Sequence, residues 1–132
     1  MPNIKLMESS LPIAPLKIAA HASCIDLGKK VNDYIVSFRQ NTLTENHTSP
    51  LFRAYSTDNY LIDCDCPRFG TGESKGLLGE SIRGKDLFVM VDVCNYSMSY
   101  SIGKYTNLMS PDDHYQDLKR VIAAIGGKAR RV

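Results

Sequence analysis

The stretch that decides the fold is GESIRGKDLFVMVDV, residues 79–93. Its second half, from Leu87 to Val93, is apolar at nearly every position. Such a run is typical of a strand that is covered on both faces, as in a parallel α/β sheet. The four residues from Arg83 to Asp86 predict a turn that leads into this strand. We therefore expect residues 86–93 to form the central strand of a sheet.

The rest of the chain alternates between strand and helix patterns. Short strands are predicted at residues 3–7, 60–66 and 75–81. A helical pattern runs from Ala14 to about Gln40, and Gly28 is expected to break or kink it into two helices. The apolar stripe of this region consists of Leu27, Val31, Ile35 and Phe38, beside Tyr34. This alternation indicates an α/β fold in which a mostly parallel sheet is flanked by helices.

The last helix has clear start and stop signals. Ser110 is the predicted N-cap, Pro111 the first helical residue, and Asp113 the capping-box partner of Ser110. The expected apolar stripe consists of Tyr115, Leu118, Val121, Ile122 and Ile125. Gly126-Gly127 should end the helix. Asp112, Asp113 and His114 also resemble a metal cluster, but the helix dipole already accounts for acidic residues in a first turn, so the cap interpretation is favoured.

Two polar segments interrupt the pattern. Residues 41–59 are rich in turn formers and predict an exposed loop or insertion, which is long for a compact domain and therefore functional or mobile. Residues 95–110 are rich in Ser, Tyr and Asn and predict an irregular excursion.

Composition limits the possible partners. A chain of 132 residues, 43% of them hydrophobic, fits one domain spanning 1–132. The formal net charge is only +2, and the one basic cluster lies at 128–131, so we expect no nucleic-acid binding. The first ten residues lack the charged and apolar regions of a signal peptide, and no run approaches a membrane span. We expect a cytoplasmic protein with no membrane contact.

The cysteines and the glycine-rich stretch do not indicate a site. In the cytoplasm Cys24, Cys64, Cys66 and Cys94 should be reduced thiols, and no second ligand pair suits a zinc site with Cys64 and Cys66. The sequence GTGESKG lacks the spacing of a phosphate-binding P-loop. His21 and His47 have no evident partner. We assign no catalytic residue and no metal ligand.

Four motifs, in order, carry a resemblance to a known family: MPNIKL at the start, RFGTGE at 68–73, GESIRGKDLFVMV at 79–91 and DDHYQDLKRVIAAIGGKAR at 112–130. Together they resemble the amino-terminal half of ribose-phosphate pyrophosphokinases, which make phosphoribosyl pyrophosphate from ATP and ribose 5-phosphate. The resemblance implies a phosphoribosyltransferase-like fold, incomplete in this chain, and a parent enzyme that uses Mg²⁺ and ATP. Because a further strand is expected after Val132, we expect a piece of a larger protein that is inactive in isolation.

The resemblance also implies binding residues. In the family, a loop of the pattern Phe-x-Asn/Asp-x-Glu reaches across a subunit interface of the homo-oligomer and holds the adenine of ATP. Here the matching residues are Phe69, Thr71 and Glu73, with Thr71 in place of the usual Asn or Asp. A phenyl ring offers a stacking face, and a carboxylate accepts a hydrogen bond from an exocyclic amine. The alternative is that Phe69 is a core residue and Glu73 a solvated turn residue.

Ser81 and Arg83 match positions that bind an effector phosphate in many family members, and a guanidinium suits that role because it pairs with two phosphate oxygens. The alternative is a surface arginine ahead of a strand. Two functions therefore remain: part of a ribose-phosphate diphosphokinase, or a non-catalytic relative that assembles with the enzyme and regulates it. The phosphoribosyl-binding loop of the family, acidic residues followed by Gly-Gly, is absent from the sequence.

Overall fold

The computed structural model describes residues 14–46 and 57–132. The strands are β1 (Leu16–Ala20), β2 (Leu61–Ile62), β3 (Cys64–Asp65), β4 (Leu77–Leu78), β5 (Asp86–Met90), β6 (Ser99–Ile102) and β7 (Tyr105–Leu108). The helices are α1 (Ile25–Asn46), which follows a 3₁₀ turn at Ala22–Cys24, and α2 (Pro111–Ile125). The predicted strand at 3–7 and residues 47–56 of the predicted loop lie outside the described residues.

A parallel three-stranded sheet forms the centre of the fold, in the order β2-β1-β5. The predicted α/β class with a mostly parallel sheet is confirmed. The prediction that 86–93 is the central strand is wrong, because β1 lies between β2 and β5. Phe88 on β5 is 63% exposed, so that strand is not covered on both faces. An apolar run shows that a strand can be buried, but its place in the sheet depends on pairing with distant strands.

Two antiparallel pairs accompany the main sheet. The predicted strand at 60–66 is divided: β2 joins the main sheet, whereas β3 pairs with β4, which confirms a short strand within 75–81. The segment 95–110, predicted as irregular, contains the hairpin β6-β7, closed by a turn at Gly103-Lys104. Ser101 and Thr106 face each other across this hairpin, with hydroxyl oxygens 3.1 Å apart. Polar cross-strand pairs of this kind stabilise a strand without giving it an apolar signature.

Strand β1 replaces the beginning of the predicted long helix. Residues 16–20 pair with β5 along the strand, from Leu16 opposite Asp86 to Ala20 opposite Met90. Gly28 does not interrupt α1, which is continuous from Ile25 to Asn46. A Cβ atom on Gly28 would lie 2.5 Å from the Cβ of Ala20, so this glycine allows the helix to pack closely against β1. The prediction of a break at Gly28 was wrong because close packing, rather than helix termination, requires the glycine.

Helix α1 differs from the sequence prediction at its surface and at its end. Of the predicted stripe, Val31 and Ile35 are half-buried, whereas Leu27, Tyr34 and Phe38 are exposed. The helix also continues through residues 41–46, which were predicted to belong to the loop. Neither Pro nor Gly occurs in 41–46, so nothing in the local sequence prevents helix propagation there.

Helix α2 begins and ends as predicted. The Ser110 hydroxyl accepts a hydrogen bond from the Asp113 N–H (3.2 Å), and the Asp113 carboxylate accepts one from the Ser110 N–H (2.9 Å). Gly126 adopts the left-handed conformation at the C-cap, with φ of 57°. The buried residues of the helix are His114, Asp117, Val121 and Ile125. Tyr115 and Ile122 of the predicted stripe are about half exposed, so the buried face is rotated toward His114 and Asp117.

The two helices lie on opposite faces of the sheet. Ala20 of β1 meets α1, whereas the preceding residue, Ala19, belongs to a core cluster with Ile125 of α2. Successive strand residues point to opposite faces, so the two contacts place α1 and α2 on different sides. The core cluster is completed by Ile62, Ile82 and Leu87. Among the described residues, no helix is long and apolar enough to cross a bilayer.

Candidate functional site

The loop at 69–73 is a tight exposed turn. The Phe69 N–H donates to the Glu73 carbonyl (2.8 Å), and the Gly72 N–H donates back to the Phe69 carbonyl (2.9 Å). Pro67 and Lys75 extend the pairing on either side, with 3.0 Å between the Pro67 carbonyl oxygen and the Lys75 nitrogen. These bonds fix the backbone of the loop, although it carries little regular structure.

The side chains of this loop face solvent. Phe69 is 54% exposed, so the alternative that it is a core residue is wrong. The Glu73 carboxylate forms an ion pair with Arg120 of α2, with 2.6 Å between Oε1 and Nη2. Phe69, Glu73, Lys75 and Arg120 are among the residues that line a shallow cleft of about 360 Å³. Thr71 is exposed in the same turn. The turn therefore presents a phenyl face and a carboxylate together.

Arg68 anchors the loop to the interior. Its Nη2 lies 3.1 Å from Asp117 Oδ2, and its Nη1 donates to the Gly72 carbonyl at 3.3 Å. The side chains of Arg68 and Asp117 are only 9% and 2% exposed. The guanidinium also lies over the ring of Tyr100 on β6, 4.4 Å from its centroid. Helix α2 and the β6-β7 hairpin thus hold the loop through one buried cation.

Ser81 and Arg83 line a second cleft, of about 290 Å³, with Lys128 at its rim. The intervening Ile82 is buried in the core and fixes the backbone between them. The Gly84 N–H donates to the Lys128 carbonyl at 3.1 Å, which brings the turn after Arg83 beside the end of α2. Among the described residues, neither Arg83 nor Lys128 has an ion-pair partner.

Two lysines near this cleft, Lys17 and Lys85, form ion pairs with Glu80. Glu80 Oε1 lies 2.8 Å from Lys17 Nζ and 3.1 Å from Lys85 Nζ. The hydrogen bond from Lys17, with that from Lys85, holds the pKa of Glu80 below its ordinary value despite partial burial. Glu80 therefore pairs with both Lys17 and Lys85, and the cationic groups that line the second cleft are Arg83 and Lys128.

The residues predicted to bind adenine and those predicted to bind an effector phosphate lie side by side. Gly76 and Ala124 line both clefts, so the structure brings Phe69, Glu73, Ser81 and Arg83 to the same flank of α2. Three residues that support this flank were not predicted from the sequence, namely Arg68, Asp117 and Arg120. Asp117 could have been recognised from the sequence. Positions 114, 117, 121 and 125 have the spacing of one helix face, and this spacing places Asp117 on the buried face of α2.

A buried polar cluster lies behind the loop. It contains His21, Cys66, His114 and Asp117, and each of them is less than a tenth exposed. His21 Nε2 is 3.6 Å from Asp117 Oδ2, and the Cys66 thiol lies 3.7 Å from the Asp117 carbonyl. The view that His21 has no partner was therefore wrong. Donor atoms of His21, Cys66 and Asp117 all lie within 4.8 Å of one another, so these three residues could hold a metal ion.

The cysteines are free, as predicted, and two of them are strongly perturbed. Burial, with the charge of Asp117 next in importance, raises the pKa of Cys66 to about 12. Burial likewise raises the pKa of Cys64 to about 11. Neither thiol is a nucleophile at neutral pH, because the thiolate is the reactive form.

A further cleft, of about 770 Å³, opens at the carboxyl ends of β1 and β5. Its polar groups bond mainly to one another: the Ser23 hydroxyl accepts from the Asp92 N–H (3.0 Å), and Asn95 donates to the Ser23 carbonyl (2.7 Å). One hydroxyl of the cleft has a base beside it, because the Ser23 hydroxyl also lies 3.1 Å from His21 Nδ1, but both residues are buried. We assign the cleft no role.

Comparison with known proteins identifies one family. The family model described as the N-terminal domain of ribose phosphate pyrophosphokinase matches residues 16–132. No curated protein and no solved structure matches the chain. The match spans the sheet, both helices, the loop at 69–73 and the cleft at Ser81 and Arg83.

Proposed function

Because the chain belongs to the family of the N-terminal domain of ribose phosphate pyrophosphokinase, we propose that it is the amino-terminal part of a ribose-phosphate diphosphokinase. In this reaction the anomeric hydroxyl of ribose 5-phosphate attacks the β-phosphorus of ATP, and AMP leaves. The product, phosphoribosyl pyrophosphate, serves nucleotide biosynthesis in the cytoplasm. The observation that carries the proposal is the match of the family model to residues 16–132. The exposure of Phe69 and Glu73 in the turn at 69–73 is consistent with it.

The turn at 69–73 suits adenine recognition. Phe69 offers a ring face for stacking, and Glu73 Oε1 is engaged by Arg120 while the second oxygen can accept from an exocyclic amine. Thr71 supplies a hydroxyl where the family pattern has Asn or Asp. As the family pattern implies, the adenine belongs to a nucleotide bound by a neighbouring subunit of a homo-oligomer. The anchoring of the loop by Arg68 keeps these groups in place before the nucleotide arrives.

The second cleft suits an effector phosphate. Arg83 supplies a guanidinium that can pair with two phosphate oxygens, and Ser81 supplies a hydroxyl donor. Lys128 adds a second positive charge at the rim of the cleft. The carboxylate of Glu80 also lines this cleft but is paired with Lys17 and Lys85, so the anion would meet the charges of Arg83 and Lys128.

We propose that the Mg²⁺ ligands and the catalytic groups of the reaction lie outside the described residues. The Mg²⁺ of the reaction neutralises charge on the phosphates of ATP, so it accompanies the substrate. We assign no described residue as its ligand and none as a catalytic group. The 132-residue chain should accordingly form no phosphoribosyl pyrophosphate by itself.

The test uses the product of the complete gene that encodes this chain, assayed with Mg²⁺, ATP and ribose 5-phosphate. We expect AMP and phosphoribosyl pyrophosphate to form in equal amounts. In Phe69→Ala the KM for ATP should rise by about fivefold, because a stacking contact is worth roughly one kcal/mol. The KM for ribose 5-phosphate should be unchanged.

Tyr105→Ala is the matched control, because Tyr105 is an exposed aromatic residue on β7, away from both clefts. It should leave both KM values as they are in the wild type. A gene product that forms no phosphoribosyl pyrophosphate but binds an active pyrophosphokinase would identify the regulatory relative and overturn the enzyme proposal.

A further inference from the structure

Two buried lone pairs in the polar cluster lack a partner among the described residues. His114 Nε2 lies 3.0 Å from the Asn95 carbonyl, which only accepts, so Nε2 carries the ring proton and Nδ1 is an unprotonated acceptor. Nδ1 is fully buried without a hydrogen bond, and so is Asp117 Oδ1. Buried acceptors of this kind require a donor or a cation, because leaving them unpaired is costly.

The cluster surrounding these atoms has the composition of a metal site. Besides the two unpaired acceptors, it contains the Nε2 of His21 and the thiol of Cys66. His21 Nε2, Cys66 Sγ and a carboxylate oxygen of Asp117 lie within 4.8 Å of one another, and the ring of His114 lies 6.1 Å from that of His21. A thiol, an imidazole and a carboxylate suit Zn²⁺ or a similar transition metal, whereas Mg²⁺ prefers oxygen ligands alone.

We propose that His21, Cys66 and Asp117 bind a transition-metal ion of the Zn²⁺ class. These ligands come from the end of β1, from the segment after β3 and from α2. The ion would therefore cross-link the sheet to the helix that anchors the loop at 69–73. Among the described residues, this is the cluster of His, Cys and carboxylate groups that meets the spacing for a metal. The proposal does not depend on the proposed enzyme activity.

Metal binding requires a change of tautomer at His21. Its Nδ1 accepts a hydrogen bond from the Ser23 N–H at 3.3 Å, so the ring proton lies on Nε2. When Nε2 binds the ion, the proton must move to Nδ1, where Ser23 Oγ at 3.1 Å can accept it. Metal-bound histidines usually donate their other N–H in this way.

With the ion bound, the cluster carries one net positive charge, because the divalent ion and the Arg68 guanidinium face one thiolate and one carboxylate. The Cys66 thiol loses its proton to solvent as the Sγ–metal bond forms, so one proton is released for each ion bound. The divalent ion then faces one thiolate and one carboxylate, and Arg68 remains at 3.1 Å from Asp117 Oδ2. Because Arg68 withdraws charge from that oxygen, Oδ1 is the better ligand atom of the carboxylate.

The test is a Co²⁺ titration of the 132-residue chain, reduced and freed of metal, at neutral pH. We expect one equivalent to bind, with a thiolate-to-Co²⁺ charge-transfer band in the near ultraviolet and the visible bands of tetrahedral Co²⁺. Zn²⁺ should abolish these bands by displacement and raise the Tm of the chain. One proton should be released per ion.

Cys66→Ser should lose the charge-transfer band and the Zn²⁺-dependent rise in Tm. Cys64→Ser is the matched control, because Cys64 lies two residues away and outside the ligand group, and it should behave like the wild type. A wild-type chain without the band, or a folded Cys66→Ser variant that retains it, would overturn the proposal. Circular dichroism establishes that each variant is folded. A wild type without the band would indicate that water, rather than a metal, pairs with the two buried acceptors.

Discussion

Asp117 connects the surface loop to the interior of the protein. Its Oδ2 faces both Arg68 and His21, at 3.1 and 3.6 Å, in a position that is only 2% exposed. An ionised carboxylate in such a place is tolerated only because the guanidinium of Arg68 neutralises it. The same guanidinium bonds the carbonyl of Gly72, so the charge balance of the core and the shape of the loop depend on one side chain.

Arg68→Met should therefore lower the free energy of unfolding by about 3–5 kcal/mol, because it leaves the Asp117 carboxylate buried without its cation. Arg120→Met is the matched comparison: it breaks the exposed pair between Arg120 of α2 and Glu73 of the turn, and it should cost less than about 1 kcal/mol. Urea unfolding of metal-free protein at pH 7 measures both. Equal losses in the two variants would contradict the distinction between the buried and the exposed pair.

The candidate site residues were predictable only in part. Phe69, Thr71, Glu73, Ser81 and Arg83 stand in short local motifs that match the family pattern, so the resemblance alone suggests them, and their roles stay predictions. Their supports are not local: Arg68 and Asp117 are 49 residues apart in sequence. The cluster of His21, Cys66 and Asp117 likewise joins three separate elements. Without the pairing of the strands, no spacing rule relates such residues to one another.

Among the elements, those with local signals were predicted best. Helix α2 has its N-cap, its first-turn proline and its terminal glycines within its own sequence, and all of them act as expected. Strand β1 was mistaken for helix because Ala19 and Ala20 have no strand preference of their own. These residues are extended because β2 and β5 pair with them on either side, and their small side chains suit close packing.

Gly28→Ala tests that close packing. In an exposed helix this change would stabilise by up to about 1 kcal/mol, because glycine is a poor helix former. Here the added methyl group would lie 2.5 Å from Ala20 Cβ, so helix and strand must move apart. We expect a net loss of about 1–3 kcal/mol, as for other overpacked cores.

Ser37→Ala is the control for Gly28→Ala, since Ser37 lies on the exposed face of α1 and the change should gain a few tenths of a kcal/mol at most. Thermal or urea unfolding distinguishes the two effects. A stabilised Gly28→Ala variant would show that α1 and β1 are not in close contact.

At the scale of the whole molecule, the described residues cover the two faces of the sheet unequally. On the α2 face, Leu87 and Ile125 are only 2% exposed. On the α1 face, an apolar groove of about 340 Å³ remains between α1 and β5, and Phe88 stands beside it with 63% of its surface exposed. An apolar surface of this kind on a folded chain usually marks a contact with another protein.

In the proposed homo-oligomer, a second copy of the chain covers that groove. We expect sedimentation at micromolar concentration to show species larger than the 14.7 kDa monomer, with about 800 Å² buried per subunit if the contact is specific. Phe88→Lys should shift the equilibrium toward monomer, because burying its charge in an apolar contact is costly. Tyr105→Lys, at an exposed position of the hairpin, should leave the equilibrium unchanged. A wild type that is wholly monomeric would contradict the homo-oligomer, and association that survives Phe88→Lys would place the contact away from this groove.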